Sequence, residues 1–149
     1  MAQKLMLVAT RVALGWLFFY AGITKVLNPN WSAKGYLAGA KTFGAFYQWL
    51  LTPHIIPFVN FINEWGLTLL GVSLILGIFV RLSSILGAVL MLLYYFPILQ
   101  FPYPNANSYI VDEHIIYALI LIFFAALRAG RVMGFDSFLK SSSKAGWFG

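Results

Sequence analysis

The chain has 149 residues, of which 61% are hydrophobic, 18% aromatic and only 9% charged, with a formal net charge of +6. A water-soluble domain carries about a quarter charged residues, so a soluble globule is excluded and a single integral membrane domain over residues 1–149 is implied. The chain has no cysteine, which removes disulfides, thiolate zinc sites, iron–sulfur clusters and covalent haem.

The first apolar run spans roughly 5–27 and carries Arg11 and Lys25. Arg11, Gly15, Phe18, Gly22 and Lys25 recur at three- and four-residue steps, so they share one helix face. The small residues on that face let another helix approach closely. Each cation has two readings: the two snorkel to opposite interfaces, or they have a functional role. Asn28, Pro29 and Asn30 stop the helix.

The segment WSAKGYLAGAKTFGAFYQWLL (31–51) is broken by Gly35, Gly39 and Gly44 and is rich in Trp, Tyr and Phe. It predicts an interfacial amphipathic helix over 31–52, with Lys34 and Lys41 on one face; a re-entrant hairpin is the alternative. His54 lies between Pro53 and Pro57, in a loop.

The second run spans roughly 56–80. Sixteen uncharged residues separate Glu64 from Arg81, and Asn60, Asn63 and Glu64 sit just inside its start. Asn60 and Glu64 are four apart and share a face that Gly71 continues. A carboxylate costs roughly 2.5–3.5 kcal/mol at the bilayer centre and less near an interface. Glu64 therefore reads either as the ion-pair partner of Lys25 or as a site that handles protons or a polar ligand.

The third run, 82–99, loosens at Pro97, Pro102 and Pro104. The fourth, 110–127, opens with Asp112, Glu113 and His114. The two acids suit the positive end of a helix, and His114 and Tyr117 share a face. The tail, 138–149, is expected to be mobile.

These runs predict an all-α membrane protein with four transmembrane helices and one interfacial helix between the first two. Lys4, Arg11, Arg81, Arg128, Arg131, Lys140 and Lys144 fall on one side and Lys25, Lys34 and Lys41 on the other, which places both termini in the cytoplasm. Lys25, Glu64 and His114 then lie at the same, outer end. Groups of three protonatable kinds at one depth suit a quinone pocket: carbonyl oxygens need hydrogen-bond donors, the ring needs aromatic walls, and reduction needs protons. Trp65, Tyr94, Tyr95, Phe96 and Tyr117 are the candidate walls. No pair of ligands has a recognised metal spacing, His54 and His114 fall in different kinds of segment, and no basic run suggests nucleic acid.

The chain resembles the DoxX/DoxD family of small four-helix membrane proteins. The resemblance rests on Arg11 with Leu14 to Trp16, on AGITK with Gly22 and Lys25, on EWGLTLLGVSLILGIFVR with Glu64, Gly71, Leu74, Gly77 and Arg81, and on AGRVMGFDSFL with Gly130, Gly134 and Asp136. It implies a redox-associated protein of the prokaryotic inner membrane. DoxD-type members are the membrane subunit of thiosulfate:quinone oxidoreductase, paired with a DoxA subunit. The resemblance makes Arg11, Lys25, Glu64 and Arg81 the family-type polar positions, with Lys25, Arg11 and Arg81 as candidates for an anionic substrate.

The expected function is thus a quinone-linked oxidoreductase subunit with thiosulfate as donor. Lys25, Glu64 and His114 would be catalytic, and Asn60, Trp65, Tyr94 and Tyr117 would hold the quinone. The expected partners are the bilayer, a diffusible quinone, a DoxA-like subunit and a second copy of the chain, with no haem, iron–sulfur cluster or metal. A non-catalytic scaffold for a redox partner and a small solute carrier are the alternatives.

Overall fold

The computed structural model describes residues 1–139, and every regular element in it is helical. In chain order these are α1 (Ala2–Val26), α2 (Lys34–Ala38), α3 (Gly44–Leu50), α4 (Ile56–Leu76), α5 (Val80–Ile98), α6 (Glu113–Leu127) and α7 (Asp136–Leu139). Helices α1, α4 and α5 are long and apolar enough to cross a membrane, whereas α6, with 15 residues, is shorter. Of the expected mobile tail, 140–149 lies outside the described residues.

Local chemistry sets the boundaries. Pro57 sits in the first turn of α4, where a missing N–H costs nothing. Gly77 ends α4 at φ 72°, a left-handed conformation in which a side chain would be strained. Phe79 opens α5 at φ 51°, so Val80 begins the third long helix instead of ending the second. Asp112 caps α6, accepting the backbone N–H groups of His114 at 3.0 Å and Ile115 at 3.2 Å.

Helices α1 and α4 pack antiparallel along the small-residue face. A methyl group on Gly22 would lie 2.3 Å from the Thr68 nitrogen, and one on Gly71 the same distance from the Phe19 nitrogen, so both contacts require glycine. Helices α5 and α6 form a second pair. The shared core holds Leu14, Phe18, Leu70, Leu74, Met91, Leu121 and Phe124. Many other large apolar side chains, including Leu69, Leu86, Leu119 and Phe123, point outward, as lipid-facing residues do.

Segment 31–52 is two short helices, α2 and α3, in place of one amphipathic helix. The chain breaks between Gly39 and Phe43, whose φ is 54°. Lys41 falls in that break, so it shares no continuous helical face with Lys34; its backbone N–H donates to the Pro97 carbonyl at 2.9 Å. The hairpin buries Ala33, Leu37 and Tyr47 with Ile56 in a small core of its own.

Candidate functional site

Beneath the hairpin lies a cavity of about 630 Å³ between α1, α4, α5 and α6, within the usual range for small-molecule sites. Its polar end is a chain of contacts. Lys25 Nζ donates to the Tyr94 hydroxyl at 3.2 Å, and that hydroxyl donates to Asn63 Oδ1. The Asn63 amide nitrogen donates to the Val59 carbonyl at 2.8 Å, which fixes its orientation. The ammonium sits 4.8 Å from the Trp31 ring centre and 5.4 Å from that of Tyr94, so two aromatic faces share its charge. The His114 ring lies 5.9 Å from the Tyr94 ring, and its Nδ1 is 2.7 Å from Asp112 Oδ2. Phe18, Leu67, Met91 and Tyr117 line the apolar depth, and Phe46, Trp49, Leu50, Ile55 and Phe58 line the side beneath α3.

The hairpin is held over this cavity by the consequences of Pro97. A proline inside a helix leaves the carbonyl four residues earlier without its donor. That carbonyl belongs to Leu93, and the Tyr47 hydroxyl donates to it at 3.0 Å. The Tyr36 hydroxyl donates to the next carbonyl, that of Tyr94. Thr42 Oγ1 donates to the Leu99 carbonyl at 2.6 Å. Burial pushes the Tyr47 phenol up to about 12, and that of Tyr36 also upward, so both remain donors at ordinary pH. Asn60 Oδ1 accepts the Ala33 N–H at 3.0 Å and so ties the start of the hairpin to α4.

A second polar cluster occupies the opposite end. Arg11 is 1% exposed and donates to the carbonyls of Ala129 at 2.6 Å, Val132 at 3.1 Å and Met133 at 3.5 Å. Asp136, 2% exposed, accepts the N–H groups of Phe79 at 2.8 Å and Val80 at 3.1 Å, capping α5 from another part of the chain. A methyl group on Gly130 would sit 2.0 Å from Asp136 Oδ2, and one on Gly134 would sit 2.3 Å from the Gly130 carbonyl. These hydrogen bonds all run to the protein's own backbone, which is the chemistry of a structural lock.

The DoxX family model matches residues 6–99, well over half of the chain. The chain belongs to the DoxX family. Neither the curated proteins nor the solved structures yield a match. Together with the apolar helices, membership makes this a multi-pass membrane protein. The DoxX match takes in Lys25, Trp31, Asn63 and Tyr94 and stops before α6, so His114, Tyr117 and the AGRVMGFDSFL motif lie beyond it.

Of the residues expected to form the site, the DoxX cavity brings together Lys25, Tyr94, His114 and Tyr117. Glu64 is half-buried and does not line it, and among the described residues no direct ion pair joins it to Lys25. Glu64 lies within a π-helical turn over Ile62–Gly66, and the cavity face of α4 is held by Val59 and Asn63, four residues apart. Asn63, 7% exposed, takes the inward position. Asn60 serves the hairpin, and Trp65, 41% exposed, faces away while Trp31 supplies the wall. Tyr95 donates to the Ile110 carbonyl, outside the cavity lining. Arg11 lies in the opposite cluster, and Arg81 is in the first turn of α5, about 20 Å along that helix from Tyr94. Asn63, Trp31, Tyr36, Tyr47 and Asp112 complete the site and its roof. For the two tyrosines the available signal was the proline near the end of an otherwise continuous helix.

Proposed function

We propose that this DoxX protein is the quinone-binding membrane subunit of an oxidoreductase. The observation that carries the reading is the convergence of Lys25, Tyr94, Asn63 and His114 at one end of an otherwise aromatic and aliphatic cavity. A quinone presents carbonyl oxygens, a flat ring and an apolar tail. The polar end offers the Lys25 ammonium, two of whose three N–H donors remain for an oxygen beside the one given to Tyr94. Trp31, Tyr94 and Tyr117 offer ring faces, and the apolar side beneath α3 offers a lane for the tail.

The chain carries no cysteine, so electrons would come from a partner subunit. By the DoxD resemblance that partner is DoxA-like and the donor is thiosulfate. Two thiosulfates join through a new S–S bond to give tetrathionate and release two electrons, and the quinone takes up those electrons with two protons to become the quinol.

The proposal includes four crossings with both termini in the cytoplasm of a prokaryote. Helix α6 starts beside the cavity, and the segment after it docks on Arg11 at the other end. At 1.5 Å per residue its 15 residues cover roughly 22 Å, and the 3₁₀ turn Ala129–Arg131 adds roughly 6 Å. Together these approach the hydrocarbon thickness of about 30 Å.

Mass spectrometry of lipids retained by the protein purified in a mild detergent tests the reading. An isoprenoid quinone near one per chain is expected, falling about tenfold in Lys25→Met, the effect of about 1.4 kcal/mol for one lost hydrogen bond. No retained quinone, together with no binding of added decylubiquinone in lipid nanodiscs, would overturn it.

A further inference from the structure

We infer that Asp112 and His114 form a carboxylate–imidazole pair that exchanges protons between the bound quinone and the side of the membrane carrying the 99–112 loop. The inference rests on the quinone reading of the cavity and names the proton route for it.

The geometry begins with the cap. Asp112 Oδ1 accepts two backbone N–H groups and Oδ2 lies 2.7 Å from His114 Nδ1. Three nitrogens converge on a carboxylate whose side chain is 0% exposed. A carboxylate so placed is an acceptor, so the proton of the short contact belongs on Nδ1. That assigns the tautomer: the neutral ring carries its proton on Nδ1 and keeps its lone pair on Nε2. Among the described residues Nε2 has no hydrogen-bond partner. The ring lines the cavity beside Tyr94, its side chain is 20% exposed, and it sits in the first turn of α6, directly after the 99–112 loop and next to the exposed Glu113.

Other groups around the ring do not replace it. Lys25 from α1 donates to Tyr94. Tyr36 and Tyr94 are phenols that act as donors here, Tyr36 to the Tyr94 carbonyl and Tyr94 to Asn63. Helix α4 contributes Asn63, which does not titrate, and keeps Glu64 out of the lining. On α6 itself Tyr117 lies deeper in the cavity and Glu113 is exposed.

The step balances simply. As two electrons arrive from the donor subunit, the Nε2–H bond of the imidazolium breaks and an O–H bond forms on the quinone. A proton from the bulk solution, relayed by water, returns to Nε2, and a second transfer with a second bulk proton completes the quinol. Oxidation of quinol runs the same transfers backwards. His114 is then a catalytic residue and Asp112 a positioning residue.

The test uses the full chain in lipid nanodiscs and the affinities of decylubiquinone and decylubiquinol between about pH 5 and 8. A protonated Nε2 donates to the quinone, and a neutral one accepts from the quinol. The ratio of the two dissociation constants should therefore change about tenfold across the range, and stay flat in His114→Gln. Asp112→Asn keeps a good helix cap and should leave the unfolding temperature nearly unchanged. It should weaken quinol binding several-fold above pH 7, with nitrogen-15 NMR showing His114 moving from one tautomer to a mixture. Tight binding of both forms with a pH-independent ratio in the wild type would overturn the proton route and leave the quinone site standing. Binding of neither form would remove the site itself and the route with it.

Discussion

Arg11 shows how a charged residue inside a membrane protein can be structural in its hydrogen bonds. Its guanidinium satisfies three carbonyls that follow α6, and Asp136 returns to cap α5. Removing one member of such a buried cluster costs roughly 3–5 kcal/mol, because the remaining polar groups lose their partners. Arg11→Met is expected to lower the unfolding temperature and to expose the 129–139 segment to protease, while quinone retained per folded chain changes less than twofold. A selective loss of ligand in a fully stable Arg11→Met protein would return Arg11 to the substrate-binding role that the sequence suggested. The same scale separates Glu64 from its neighbour. Glu64→Gln should alter quinone retention less than threefold, and Asn63→Leu about tenfold, since Asn63 alone of the two bonds to Tyr94. The spacing of Arg11 with Gly15 and Gly22 was legible, because three- and four-residue steps need no tertiary information. Its carbonyl partners were not, since they lie 118 and more residues away in an irregular segment. Asn63 was open to the same counting, since it lies four residues from Val59, but the charge of Glu64 made the neighbouring face of Asn60 and Glu64 the expected one.

At the level of elements, Pro97 and the hairpin act as a pair. Helix α5 runs through the proline to Ile98, and the donor lost there is replaced by the Tyr47 hydroxyl. Interhelical hydrogen bonds in membrane proteins average about 0.6 kcal/mol, whereas a buried carbonyl left without any donor costs about 1–3 kcal/mol. Tyr47→Phe falls in the second class, so a loss of about 1–2 kcal/mol is expected in chemical unfolding. Pro97→Ala restores the N–H within the helix, and in that background Tyr47→Phe should cost less than half as much. Equal costs in both backgrounds would show that the hydroxyl does not compensate for the proline. Gly35, Gly39 and Gly44 marked the segment as broken, yet one helix over 31–52 was expected, and the break falls between Gly39 and Phe43. The docking of the hairpin was not legible, because the broken segment and the proline are ordinary features when read separately, and only their contact explains both.

On the scale of the whole molecule, the two polar ends define a direction. Lys25, Asn63 and His114 gather at one end and Arg11, Gly77 and Asp136 at the other, because α1 and α4 run antiparallel with Gly22 against Thr68 and Gly15 against Leu74. The chain after α6 must regain the Arg11 end to make its bonds there. Composition alone announced a membrane protein, since so few charges cannot cover a water-facing surface; the return of α6 was less plain, its helix having only 15 residues. Absence of cysteine makes the arrangement easy to test by labelling. Gln3, Ala106 and Ser137 are exposed positions near the start of the first helix, in the 99–112 loop and after α6, and each can carry a single cysteine. In intact cells a membrane-impermeant maleimide should label Ala106→Cys at once, and label Gln3→Cys and Ser137→Cys only after permeabilisation. The pairing of the last two is the decisive part. Reversal of all three would invert the orientation drawn from the Lys and Arg bias while keeping the four crossings. Labelling of Ser137→Cys from the side opposite Gln3→Cys would mean that α6 does not cross. The bonds from Arg11 to the Ala129 carbonyl and from the Val80 N–H to Asp136 could not then form, and the lock that holds α1, α5 and the end of α6 together would be absent.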